Sequence, residues 1–357
     1  MGSRPITRAF TRAAGAVDRA VLSALNLGGR GERAQAVALS HNERMKALGE
    51  FARVYDRVEL LDDDAFFCSP RPDLSIRAQR SSSHVWDLSW ASEYEPFCAD
   101  VRDRYLSRTA NRTAWARVFR AGPPRPAVVL VHGYRGGQWA IEERQWPIRW
   151  LYARGFDVAL FVLPFHGRRA DGGAPPLPSS DPRFTNEGFR QTVFDFRALS
   201  AWLRAQGSTH TTVVGMSLGG YTTSLLATLE SNIDACMPIV PLASIADFAR
   251  AQGNLGQGAE CEAQHQGLER VNRVVSPLAR PLRVPKHRTI VVGAEADRIT
   301  PIRHAERIAD AFDVPLMRIQ GSHLLQWGRD KAFRAFCQTL EADGILPPRQ
   351  KQQDQEE

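Results

Sequence analysis

The sequence lacks the marks of several large protein classes. It has no CxxC pair, and its five cysteines (Cys68, Cys98, Cys236, Cys261, Cys337) lie far apart and are odd in number. Neither a thiolate metal site nor a disulfide framework is indicated, and the reading calls for no metal and no organic cofactor. No run of about 18 apolar residues is present, which excludes a spanning helix. The N-terminus has no continuous apolar stretch of the secretory kind, so a reducing cytoplasm is the expected compartment. Lysine is scarce: Lys46, Lys286, Lys331 and Lys351 are the whole complement, and arginine supplies nearly all the positive charge behind a net +7. These arginines are scattered among acids rather than clustered with aromatics, which argues against a nucleic-acid partner. A Walker-type Gly-Lys-Ser/Thr loop is missing, as is Gly-x-Gly-x-x-Gly after an early strand. No internal repeat is visible, and nothing in the sequence speaks to oligomeric state.

What is present suits one large α/β domain with additions. Across 357 residues, 43% are hydrophobic and 24% charged, enough for a sizeable core without disulfides or metals. Residues 1–80 stand apart as an N-terminal helical extension. Ile6, Phe10, Ala14, Val17, Val21 and Leu25 recur at helical spacing with Arg4, Arg8, Arg12 and Arg19 between them, and Gly28-Gly29 ends that helix. A second helical stretch over 33–60 carries Val37, Met45, Leu48, Phe51, Val54 and Tyr55. Both helices suit packing on the main domain or on a partner subunit. The alternative is a basic amphipathic helix making peripheral contact with a membrane surface.

From residue 84 the pattern turns to strands, at 84–92 and 114–120, and then to the apolar run 127–131. Strand and helix alternate thereafter. Helix 138–153 is followed by strand 157–163, helix 187–206, strand 211–215, helix 218–230 and strand 235–240. Strand 289–293, helix 301–312, strand 314–319 and helix 328–342 complete the series. Such alternation predicts a mostly parallel sheet with helices on both faces. Residues 170–185, rich in Gly and Pro, read as loop. Residues 241–287 read as a polar, helical insertion where lids over active sites sit. The domain thus spans 81–345, followed by a polar tail, 346–357, expected to be disordered.

The segment TTVVGMSLGG, residues 211–220, carries the chemistry. A β-branched strand ends at Gly215 and a helix begins after Ser217. Gly-x-Ser-x-Gly permits a sharp strand-to-helix turn in which the serine is strained and the helix N-terminus favours developing negative charge. Here, and in the motifs after it, the chain resembles the α/β-hydrolase superfamily over residues 84–342, with nucleophile, acid and histidine in that order. The resemblance implies a serine-nucleophile α/β-hydrolase fold and a triad of Ser217, Asp297 and His323. Asp297 follows the strand and Gly293 in TIVVGAEADRITP, with Glu295 as fallback; a helix cap near Pro301 is its structural alternative. His323 follows the last strand in PLMRIQGSHLLQW.

The same resemblance assigns the oxyanion hole to the backbone N–H groups of Leu218 and of Tyr134, which follows His132-Gly133 in VVLVHGYRGG. His132 is expected to fix that loop rather than carry protons. His166, in LFVLPFHGRR, is expected to brace the next one. His132, Gly133, His166 and Met216 are the candidate pocket residues. Arg168 and Arg169 fall near the expected mouth, where a guanidinium can meet an anionic group, though most arginines here should be solvated. The implied reaction is hydrolysis of a carboxylic ester through an acyl-enzyme, with a lipid-like small-molecule ester as the expected partner. A thioesterase or peptidase of the same fold, or a binding protein on that fold, is the alternative.

Overall fold

The computed structural model describes residue 18, residues 39–173 and residues 176–348. The helix expected over 1–27 lies outside the described residues except for Asp18, and most of the tail lies outside them too. Leu346, at the start of that tail, is buried against the core.

The run Ala127–Val131 (β4) contains no polar side chain because both of its faces are covered. Strand side chains alternate, so Val129 and Val131 join the core on one face while Val128 and Leu130 join the core on the other. The same division holds in Thr211–Met216 (β6), where Val213 faces one core and Val214 and Met216 the other. Around these two lie β1 (Arg77–Arg80), β2 (Val85–Ala91), β3 (Thr113–Phe119), β5 (Asp157–Phe161), β7 (Ala235–Ile239), β8 (Val291–Ala294), β9 (Leu316–Gly321) and β10 (Gln326–Trp327). They form one sheet in the order β1-β2-β3-β5-β4-β6-β7-β8-β9-β10. The block from β5 to β9 is parallel, and the pairs at both edges are antiparallel. The four motifs of interest follow β4, β6, β8 and β9, so their loops all emerge at the carboxyl end of the parallel block.

Helix α1 (His41–Tyr55) opens with a capping box: Ser40 N donates to Glu43 Oε2 at 2.8 Å, and Glu43 N donates to Ser40 Oγ at 3.3 Å. The helix expected at 138–153 is instead two, α2 (Trp139–Gln145) and α3 (Ile148–Ala153). Pro147 between them lacks the N–H that a continuous helix needs. Helix α4 (Pro182–Ala205) begins inside the stretch expected as loop, with Pro182 in its first turn and Asp181 accepting from Arg183 N at 3.1 Å. Helix α5 (Leu218–Leu229) follows β6. Residues 241–287 hold α6 (Ile245–Ala251) and α7 (Gly258–Asn272), and α8 (Arg303–Phe312) and α9 (Arg329–Ala342) close the chain.

A buried carboxylate joins the extension to the main domain through Tyr55. Glu187 on α4 accepts from Tyr55 Oη (2.9 Å), Phe97 N (2.9 Å), Cys98 N (3.0 Å) and the Tyr94 hydroxyl. On its other side α1 lays Leu48 over Gly267 of α7, where a Cβ would come within 3.0 Å of Leu48 Cδ1. Among the described residues no helix is long and apolar enough to cross a membrane.

Candidate active site

The turn between β6 and α5 holds Ser217 at φ 59° and ψ −115°, a conformation that L-residues adopt only when their surroundings enforce it. Those surroundings are close. Ser217 N donates to Ile239 O at 3.0 Å, and Ser217 O accepts from Tyr221 N at 3.0 Å. A Cβ on Gly215 would overlap the Gly219 carbonyl, and one on Gly219 would overlap the Val131 carbonyl. Leu218 N–H is the first of α5 and has no partner within the helix, so it is offered beside Ser217 at the positive end of the dipole.

After β8, Asp297 stands with its two oxygens divided. Oδ1 accepts from Ile299 N and Thr300 N, both at 2.8 Å, while Oδ2 lies 2.8 Å from His323 Nδ1. The cap and the histidine partner are therefore one carboxylate. Glu295 turns away and pairs with Arg318 at 3.6 Å. Thr300, which the sequence showed only as the opening of a helix, puts Oγ1 3.0 Å from Asp297 Oδ2, 3.0 Å from His323 Nδ1 and 2.9 Å from Val240 O. With Nδ1 held on that side, His323 Nε2 is the ring nitrogen left for proton transfer. Ser217 and His323 line the same cavity; among the described residues no hydrogen bond joins them, and such contacts commonly tighten only with substrate bound.

The loop after β4 brings Gly133 and Tyr134 to that cavity, and Met216 lines it beside Ser217. His132 and His166, read as pocket candidates, do not line it; both are buried behind it. His132 Nδ1 donates to Gly133 O at 2.8 Å and Nε2 accepts from Leu163 N at 3.1 Å, so the ring joins the two loops. His166 Nδ1 donates to Pro164 O at 2.8 Å. Burial, foremost, holds both imidazoles below the usual histidine range, His166 at about 3. Neutral rings inside the loops are braces.

No family model matches the chain. Two curated relatives, both uncharacterized proteins of Mycobacterium tuberculosis strains, are each 30% identical over 311 residues, which span 81% of this chain and 72% of theirs. This chain and those relatives form one family. Among solved structures, the acetyl xylan esterase from Paenibacillus sp. R4 matches with a TM-score of 0.53 at 14% identity, over 81% of this chain and 98% of that one. Acetyl xylan esterase 1 from a Thermoanaerobacterium species matches with a TM-score of 0.50 at 14% identity, over 82% and 93%. The chain has the α/β-hydrolase fold.

The cavity has a volume of about 500 Å³ and a largely apolar wall. Leu48 and Phe51 come from α1, Ile245 and Phe248 from α6, and Leu268 from α7, so the extension and residues 241–287 build it together. Neither arginine expected near the mouth lines the cavity. Arg169 is fully buried, bonded to Asp195 Oδ2 at 2.8 Å and to Asn111, and so is a structural cation rather than a substrate contact. Arg168 lies over the Trp115 ring, 4.9 Å from its centroid. An alternation of arginine and acid does not reveal which guanidinium is buried.

Proposed function

We propose that this α/β-hydrolase is a serine esterase that cleaves carboxylic esters of apolar acyl groups through an acyl-enzyme. The observation that carries the reading is the strained Ser217, facing one cavity with a histidine whose Nδ1 is held by Asp297. Ser217 Oγ attacks the ester carbonyl as its proton passes to His323 Nε2, and Asp297 stabilises the imidazolium. The tetrahedral oxyanion is met by Leu218 N–H and Tyr134 N–H, each such donor being worth about 3 kcal/mol. Collapse breaks the C–O bond, and His323 returns the proton to the leaving alcohol. Water then attacks the acyl-serine with His323 as base, releasing the acid and restoring Ser217.

The cavity supports a choice of substrate class. A volume of about 500 Å³ is room for many water-sized groups at about 30 Å³ each, far more than an acetyl group fills. Its apolar wall favours an alkyl chain over a sugar. In this reading residues 241–287 act as the lid and the N-terminal extension supplies the facing wall. The test is a fluorophosphonate probe read by intact mass: one adduct is expected, located on Ser217 and absent from Ser217→Ala.

A further inference from the structure

One buried carboxylate near the site comes from far away in the chain. Asp18 is fully buried, and it reaches loops 280 to 306 positions downstream. Its Oδ1 accepts from Ser322 Oγ at 2.9 Å and Leu324 N at 3.3 Å; its Oδ2 accepts from His323 N at 2.8 Å and Arg298 N at 3.1 Å. The donors are not arbitrary. Arg298 follows Asp297, while Ser322, His323 and Leu324 are the turn that presents the imidazole. A single carboxylate thus bridges the loop of the acid and the loop of the base. Asp297 and Thr300 fix the ring of His323 from its side-chain end, and Asp18 fixes it from its backbone end. Without that acceptor, four donors would converge on one buried point with nothing to receive them, and the two loops would lose their common anchor.

We propose that Asp18 is a positioning residue, through which the N-terminal extension completes the geometry of the Asp297–His323 pair. The inference rests on the acyl-transfer reading above. The role differs from simple stabilisation because it concerns where the imidazole stands, and an error of about 1 Å in such placement can cost about 100-fold in rate. Asparagine is a poor replacement: with its carbonyl oxygen toward the His323 and Arg298 N–H groups, its NH₂ faces the Leu324 N–H, which it cannot receive.

The experiment compares the full chain with Asp18→Ala and Asp18→Asn on one ester, recording kcat, KM, melting temperature and fluorophosphonate labelling. Both variants are expected to lose about 100-fold in kcat with KM little changed. Added formate, matched against chloride at equal ionic strength, is expected to restore about 10-fold in the alanine variant, where a small carboxylate fits the vacated nest, and nothing in the asparagine variant. Variants as active as the parent chain would overturn the inference. So would a loss of activity that follows the loss of melting temperature and does not respond to formate. A parent chain unreactive to the probe would instead sink the acyl-transfer reading itself, so the two failures are told apart.

Discussion

At Asp297 the backbone turn and the imidazole draw on different oxygens: Ile299 and Thr300 N–H groups take one, and His323 Nδ1 takes the other. Replacing the carboxylate by an amide keeps an oxygen for the turn but presents NH₂ to Nδ1, which must then accept and leave Nε2 protonated, the wrong tautomer for a base. Asp297→Asn is therefore expected to fold with nearly unchanged melting temperature while kcat falls by about 10⁴-fold; kinetics beside a melting curve check both halves. That Ser217, Asp297 and His323 each stand in a short loop just past a strand is legible in the sequence, because residue type and chain order carry information there. The contacts of Thr300 and Asp18 are not. Thr300 looks like any residue before a proline that opens a helix. Asp18 meets its partners only through tertiary contact, and no local pattern encodes a contact spanning 280 residues. Arg169 was misplaced for the converse reason, since burial of one guanidinium among many depends on Asp195 and Asn111, far off in sequence.

Elements buried on both faces were the easiest to read. β4 and β6 are apolar or β-branched along their length, and their ends fall within a residue of where the pattern puts them. The edges were missed: β1 is four exposed residues, Arg77–Arg80, and β10 is two, so neither has an alternation to detect. Sequence also showed α1 as a helix without showing what it covers. The structure lays it on α7 and makes it a wall of the cavity. Ala47, which lines the cavity from α1, is the place to test this. Ala47→Trp is expected to lower kcat/KM at least about 10-fold on an octanoyl ester and to leave an acetyl ester nearly unaffected. Equal losses on both esters would detach α1 from acyl recognition.

For the whole molecule, the buried neutral histidines set the response to acid. Burial foremost holds His132 low, His166 at about 3 and His304 at about 4. In the unfolded chain each titrates near 6.5, so between about 6.5 and those lower values the unfolded state binds more protons. The stability they confer is full above pH 6.5 and is lost as pH falls toward 4 and then 3. The melting temperature is expected to decline over that interval, and less steeply in His166→Asn, which keeps a donor for Pro164 O. A parallel decline in both would place the acid sensitivity elsewhere. His132 and His166 lie behind the cavity wall, whereas His323, though equally buried, lines the cavity together with Ser217. The pairing of Ser217 with His323 is tested most directly by fluorophosphonate labelling of the parent chain, Ser217→Ala and His323→Ala, followed by intact mass and peptide mapping. It predicts one adduct on Ser217 of the parent chain and none in either variant. No adduct, or an adduct unaffected by both substitutions, would contradict it.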